Sequence, residues 1–365
     1  MEDLIPSVSL GAAATIATAA GLAYYCLTSQ EEPAHTVVPV DDQSVAVDGN
    51  PHIRASKLVP PGTFVEYMYE DTKTLYESFQ RGLRQSKNGP CLGYRPGGKG
   101  AYEWISYKEM FERASYIGSA LIRKGVKADN STCVGVFSRN RPEWIITEVG
   151  LYSYSMVVVP IYDTLGKEAC SHIIYQAEIS AVICDRNEQA LILVRLAEST
   201  PVLKYIIIMD QASDELLAEC KKARIELCQF DDMLKLGKEH LVPVKPSKPD
   251  DIATICYTSG TTGTPKGVML THKNVIAAVS ATKMQITVEV GPKQDDCMIS
   301  FLPLSHMLER CCEVREYTPF VFLREYFLLL DFKEKSGPGM RVHSSRDKLW
   351  LWAKVSKHLD ERNEL

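Results

Sequence analysis

The residues best suited to chemistry lie together in Thr258-Ser259-Gly260-Thr261-Thr262-Gly263-Thr264-Pro265-Lys266-Gly267. Glycines let a backbone turn tightly and come close to a ligand. The hydroxyls of Thr258, Ser259, Thr261, Thr262 and Thr264, the loop amides and the Lys266 ammonium make a donor-rich, positive surface. Such a surface suits a polyphosphate, whose oxygens need many donors and some neutralising charge. A Walker-type loop has four residues between glycine and Gly-Lys and runs directly into a helix. Here two residues separate Gly260 from Gly263, Pro265 precedes the lysine, and Gly267-Val268-Met269-Leu270 reads as a strand. The loop is therefore expected to join strand to strand. An ordinary Ser/Thr/Gly-rich turn is the competing reading.

Positioning such a loop requires a scaffold, and the flanking pattern supplies one. Apolar runs at 133–137, 156–160, 181–184 and 205–209 read as strands. A helical pattern starting at Ser106 precedes them, and others start at Pro142, follow Gly166 to about 177 and cover 191–197 between them. Ser106-Tyr107-Lys108-Glu109 is a capping-box sequence, and Phe111, Ala114, Ile117 and Leu121 then share one face before Gly125. Apolar strands alternating with helices predict an α/β fold with layered parallel βαβ sheets covered on both faces. Folded structure is expected from Thr74 and Leu75, where Leu75, Phe79 and Leu83 take helical spacing. A Pro- and Lys-rich loop at 242–250 leads into the strand before the phosphate loop. Beyond it, Thr271 is placed to cap a helix over 273–284. Trp104 and Trp144 read as packing residues, and Asp163, Thr164 and His272 as capping or turn residues.

The chain has 365 residues, a net charge of -5 and 45% hydrophobic residues, enough for a sizeable core in two lobes. No basic stripe with interleaved aromatics appears, so no nucleic-acid partner is expected. The eleven cysteines form no Cys-x-x-Cys pair, which favours reduced thiols in a cytosol-facing protein. Residues 4–30 carry no charge, and Glu2 and Asp3 precede them where a secretory leader would be basic. A helix over 5–27 would be ~30 Å long or slightly more, so residues 1–30 are expected to be a single transmembrane anchor. A buried or interfacial helix is the alternative. Residues 31–73 read as a linker, polar and rich in proline over 31–61.

Position by position, the loop from Thr258 to Lys266 resembles the phosphate-binding signature of the adenylate-forming, AMP-binding enzymes. Four other segments narrow the resemblance to long-chain acyl-CoA synthetases. They are Asn88-Gly89-Pro90-Cys91-Leu92-Gly93-Tyr94-Arg95, Asn140-Arg141-Pro142-Glu143-Trp144, Val159-Pro160-Ile161-Tyr162-Asp163-Thr164-Leu165-Gly166 and Ser300-Phe301-Leu302-Pro303-Leu304-Ser305-His306-Met307-Leu308-Glu309-Arg310. The likeness runs over about 74–314, which becomes the expected AMP-binding domain. Luciferase-like enzymes and peptide-synthetase domains remain the family-level alternatives, disfavoured by the anchor and by the Asn-Arg-Pro-Glu-Trp run.

The resemblance implies ATP, magnesium and coenzyme A as cofactor and co-substrates, and a long-chain fatty acid as substrate. Thr258, Ser259, Gly260, Thr261, Thr262, Gly263, Thr264 and Lys266 would hold phosphates, with Lys266 neutralising charge. His306 would lie beside the acyl pocket, although a histidine after Pro-Leu-Ser could equally be a core residue. Placement at the endoplasmic reticulum or outer mitochondrial membrane, with a cytosolic domain, is implied as well. The family's later aromatic-Gly-x-Thr-Glu signature, whose glutamate binds magnesium, does not occur after Lys266. The chain is thus expected to carry an incomplete large lobe, no protein ligand for the metal, and a non-family tail at 315–365. Two readings follow: an ATP-dependent fatty acid–CoA ligase, or a non-catalytic, membrane-tethered chain that binds nucleotide or full-length partners. Self-association is left open.

Overall fold

The computed structural model describes residues 42–60, 62–98, 101–162, 166–258, 264–286, 297–300, 302–313, 320–322, 342–344 and 351–353. Two compact units divide the chain: residues 1–63 with 284–291, and residues 64–283 with 292–365. The anchor expected at 1–30 lies outside the described residues. Among the described residues no helix is long and apolar enough to cross a membrane.

In the first unit, part of the stretch read as a linker carries two strands. Strands β1 (Ser44–Val47) and β2 (Asn50–Ser56) pair antiparallel. Asp48 and Gly49 join them with φ of 50° and 73°, the two positive values a tight hairpin turn requires.

The second unit opens with α1 (Leu75–Gln85), where expected, and a complete capping box. Thr74 Oγ1 accepts from the Glu77 amide at 3.1 Å, and Glu77 Oε2 accepts from the Thr74 amide at 2.9 Å. Strands β3 (Pro90–Tyr94) and β4 (Glu103–Ser106) pair antiparallel before α2 (Tyr107–Arg123). Only half of the capping box expected at Ser106 forms. Ser106 Oγ accepts from the Glu109 amide, but the Glu109 carboxylate turns to Arg113 at 2.5 Å, because an ion pair along the helix outcompetes the neutral amide. Trp104 is also not a packing residue in the expected sense: it is 41% exposed.

Then come β5 (Cys133–Phe137), α3 (Pro142–Tyr152), β6 (Val157–Pro160), α4 (Lys167–Gln176), β7 (Ala181–Cys184) and α5 (Asn187–Arg195). They are followed by β8 (Tyr205–Ile208), α6 (Asp214–Ala223), β9 (Glu226–Gln229) and α7 (Phe230–Glu239). The helix expected over 191–197 starts earlier, at Asn187. Strands β10 (Ile252–Thr258) and β11 (Lys266–Thr271) complete a seven-stranded sheet ordered β11-β10-β6-β5-β7-β8-β9. Every neighbouring pair is parallel except β10–β11.

Side chains alternate along these strands, which divides the core between two helical layers. Val134 and Val136 of β5 and Ala181 and Ile183 of β7 join the layer built on α2, α3 and α7, with Phe111, Ile117, Ile145, Val149 and Phe230. Phe137 of β5 and Val182 and Cys184 of β7 join the opposite layer, with Ile173 and Ile174 of α4, Leu193 of α5 and Leu216 of α6. Each buried Val, Leu, Ile or Phe among them contributes about 1.5–3 kcal/mol of transfer free energy. In the first layer α2 and α7 cross closely: a Cβ on Gly237 would lie 1.7 Å from the Tyr116 carbonyl oxygen.

Helix α8 (His272–Ile286) follows β11 at once and is capped as expected. Thr271 Oγ1 accepts from the Asn274 amide, and Asn274 Oδ1 accepts from the Thr271 amide. A second sheet, ordered β12-β13-β3-β4, adds β12 (Met298–Ser300) and β13 (Phe320–Phe322), with α9 (Met307–Glu313) between them in sequence. The residues expected to be a tail from 315 onward thus supply a strand lying parallel to both β12 and β3.

Candidate functional site

In an open parallel sheet, ligands settle at the carboxyl ends of strands whose connecting helices leave toward opposite faces. Here α3 follows β5 onto one layer, while α4 and α5 follow its neighbours β6 and β7 onto the other. Asn140 stands in the loop between β5 and α3. Its Nδ2 donates to Ser300 Oγ at 3.0 Å and to the Leu302 carbonyl at 2.6 Å, and its Oδ1 accepts from the Leu304 amide at 2.9 Å. One side chain thereby holds the segment that leads to His306. Its neighbours lock the strand ends: Arg139 pairs with Asp185 at 3.0 Å, and Arg141 bridges Glu143 and Asp210.

His306 is exposed, its ring centroid 4.9 Å from that of Tyr162. Burial pushes the Tyr162 phenol up to about 12, reinforced by Cys256 and opposed by Arg310, so it is a neutral donor at ordinary pH. Exposure rules out the core alternative for His306. Asp163 and Thr164 lie outside the described residues.

The loop between Thr258 and Lys266 joins strand to strand, as its spacing requires. In the β10–β11 ladder Thr258 stands directly opposite Lys266, with Tyr257 opposite Gly267. A Cβ on Gly267 would come within 2.8 Å of Ile255 Cγ2 and 3.1 Å of Tyr257 Cζ, so glycine allows that ring to lie across the ladder. Thr258, Thr264 and Lys266 are all exposed. Ser259, Gly260, Thr261, Thr262 and Gly263 lie outside the described residues, between two strand ends that the ladder holds together.

Beneath the hairpin lies a charged group whose role the motifs do not declare. Arg310, on α9, is 2% exposed, and Glu148, on α3, is 4% exposed. Arg310 Nε donates to Glu148 Oε1 at 2.8 Å, and Nη2 donates to the same oxygen and to Tyr152 Oη. Nη1 donates to Thr254 Oγ1 on β10 at 2.9 Å, and Cys256 Sγ lies 3.9 Å away. The guanidinium also sits 5.3 Å from the ring centroid of Trp144, which gives that buried tryptophan a cation to face. Burial alone would pull the Arg310 pKa down, but Glu148 and its other partners hold it above the usual value, so Arg310 stays charged. Losing one partner of such a buried pair costs about 3–5 kcal/mol, because the other charge is stranded.

His272 is fully buried at the start of α8. Its Nδ1 accepts from the Leu75 amide at 3.2 Å, satisfying the first donor of α1, and its ring meets Tyr152 edge to face at 4.7 Å. Burial pushes it down to about 3, with Asp251 pulling up and Arg310 pushing down, so the ring is neutral. The capping reading holds, although the helix it caps is a distant one.

The sequence reading assigns no role to Glu148, Arg310, Asn140 or Tyr162. The first carried a usable signal: a carboxylate midway along the apolar run Trp144-Ile145-Ile146-Thr147-Glu148-Val149 needs a buried partner.

A family model described as AMP-binding enzyme matches residues 79–316. Mouse long-chain-fatty-acid–CoA ligase 5 is 45% identical over 286 residues, covering 78% of this chain and 41% of that protein. Human long-chain-fatty-acid–CoA ligase 1 is 43% identical over 296 residues, covering 80% and 42%. The chain therefore spans about two-fifths of the length of these curated relatives. Among solved structures, the adenylation domain of a carboxylate reductase from Mycobacterium chelonae superposes with a TM-score of 0.62 at 21% identity, covering 76% of this chain and 45% of that one. A long-chain-fatty-acid-CoA ligase from Archaeoglobus fulgidus gives 0.59 at 19% identity, covering 75% and 52%. The matched span covers more than half of the chain: this chain belongs to the AMP-binding enzyme family.

Proposed function

We propose that the chain serves ATP-dependent activation of long-chain fatty acids to acyl-CoA through an acyl-adenylate. A carboxylate oxygen attacks the α-phosphorus of ATP and pyrophosphate leaves. The coenzyme A sulfur, having lost its proton, then attacks the acyl carbonyl and AMP leaves. The first step brings an anion onto a polyanion, so oriented donors and positive charge are its main demand. The observation that carries the reading is the hairpin. Its ladder sets Thr258 opposite Lys266 and brackets the hydroxyl-rich residues 259–263.

In this reading Thr258, Ser259, Gly260, Thr261, Thr262, Gly263 and Thr264 hold the β- and γ-phosphates, and Lys266 neutralises them. His306 and Tyr162 line the acyl side. The donors are hydroxyls, amides and an ammonium, which suit an anion. No group of three His, Cys, Asp or Glu among the described residues could hold a metal ion. Magnesium would enter as the counter-ion that ATP carries, neutralising charge on the phosphates.

We further propose that residues 74–314 form the nucleotide-binding domain and that uncharged residues 4–30 tether it to the cytosolic face of the endoplasmic reticulum or outer mitochondrial membrane. The test is pyrophosphate release by the full chain with ATP, magnesium and palmitate. Turnover above a Lys266→Ala control supports the reading. ATP binding without pyrophosphate release selects the nucleotide-binding form of the second reading, a non-catalytic, membrane-tethered chain; no ATP binding refutes the first reading and leaves only the binding of full-length partners. Flotation with liposomes, lost when residues 1–30 are removed, tests the tether.

A further inference from the structure

Arg310 is the point at which the two parts of the candidate site touch. It lies one helical turn beyond His306, on the segment that Asn140 pins from its other end. Its Nη1 reaches Thr254 on β10, and Thr254 Oγ1 passes the connection on by donating to the Val158 carbonyl of β6 at 2.8 Å. Thr254, Cys256 and Thr258 alternate onto one face of β10, so the contact with Cys256 lies only ~7 Å along the strand from the first loop residue. Glu148 and Tyr152 fix the other edge of the guanidinium on α3.

Stability alone does not call for a charge here. Well-packed apolar residues fill such interiors at equal or better stability than a buried ion pair. What the planar fork adds is direction, since its donors leave in a fixed plane toward α3 on one edge and β10 on the other. We infer that Arg310, oriented by Glu148, is a positioning residue that fixes the phosphate-loop strand against the His306 segment. The inference rests on the ATP reading of residues 258–266 and names the group that holds their geometry.

The test compares the full chain with the paired variant Glu148→Leu/Arg310→Met, which removes both charges without stranding either, and with Thr254→Val, which leaves the ion pair intact. Three quantities are read: the denaturant midpoint, ATP affinity by calorimetry, and amide exchange across residues 256–268. The paired variant is expected to keep its midpoint, bind ATP about tenfold more weakly and exchange faster at the hairpin, a loss the size of one charge-assisted hydrogen bond. Thr254→Val is expected to move affinity and exchange in the same direction by a smaller factor. An unchanged midpoint with unchanged affinity and exchange makes the pair merely structural and overturns the inference. If the paired variant does not fold, native affinity and exchange in Thr254→Val overturn it equally. A native chain that binds no ATP refutes the nucleotide reading, while hairpin exchange still decides the brace.

Discussion

His272 makes the stability of this fold depend on pH, and above about pH 5 it does so apart from most carboxylates. In the unfolded chain its imidazole takes up a proton near the ordinary value of about 6.5. In the folded chain burial against Tyr152 keeps it neutral down to about 3. Between those limits the unfolded state binds one proton more than the folded state, so acidification favours unfolding. The contribution is complete above the unfolded value and is lost as pH falls toward the folded one. Over the whole window a shift of this size corresponds to about 5 kcal/mol. Between about pH 7.5 and about pH 5, before most carboxylates protonate, the loss is about 2 kcal/mol.

The informative substitution is His272→Asn. Its Oδ1 falls near the place of Nδ1 and can still accept from the Leu75 amide, but it does not titrate. The lost ring contact with Tyr152 lowers stability by an amount independent of pH. Urea unfolding of both proteins at the two pH values separates these effects. The native chain should lose about 2 kcal/mol more than the variant on acidification. Equal losses in both would refute the picture of a neutral, buried imidazole. Asp251 and Arg310, which act on the ring in opposite senses, are left unchanged by the comparison.

Other substitutions probe the parts that carry the site. Asn140→Ala removes three hydrogen bonds to Ser300, Leu302 and Leu304, and should cost about 2–3 kcal/mol and open residues 300–306 to limited proteolysis before the rest of the domain. Gly237→Ala forces α7 away from the Tyr116 carbonyl and should destabilise by about 3 kcal/mol in chemical denaturation, with α2 losing amide protection first. Thr74→Ala leaves the Glu77 amide without its cap and should cost about 1 kcal/mol, read in the same experiment.

Much of this architecture is written in local chemistry. The strands at 133–137, 181–184 and 205–208 are short apolar runs, and the helices between them carry one apolar face, so a sheet covered on both sides follows from periodicity. The proline before Lys266 and the β-rich residues after it are enough to exclude a loop-to-helix nucleotide site, and the antiparallel ladder agrees. The β1–β2 hairpin is less visible because its burial pattern is mostly exposed, leaving the Asp48-Gly49 turn as its main signal. Strand β13 depends on partners remote in sequence, and no local pattern names β3 as its neighbour.

The interior charges explain why the site is only half legible. An exposed donor such as Lys266 declares itself by its motif, which is local in sequence. A buried one declares itself through another side chain, and Glu148 lies 162 positions from Arg310. Sequence states that each needs a partner, since an unpaired charge in a dry interior is too costly to keep, but it does not say which. Only the fold brings α3, β10 and α9 together. Two motifs that read as separate signatures, one around Asn140 and one around His306, are thereby joined twice: by the Asn140 amide at one end and by the Arg310 fork at the other. Between those two fastenings the segment bearing His306 has little freedom to drift from β10, the strand that leads into the Thr258–Lys266 loop.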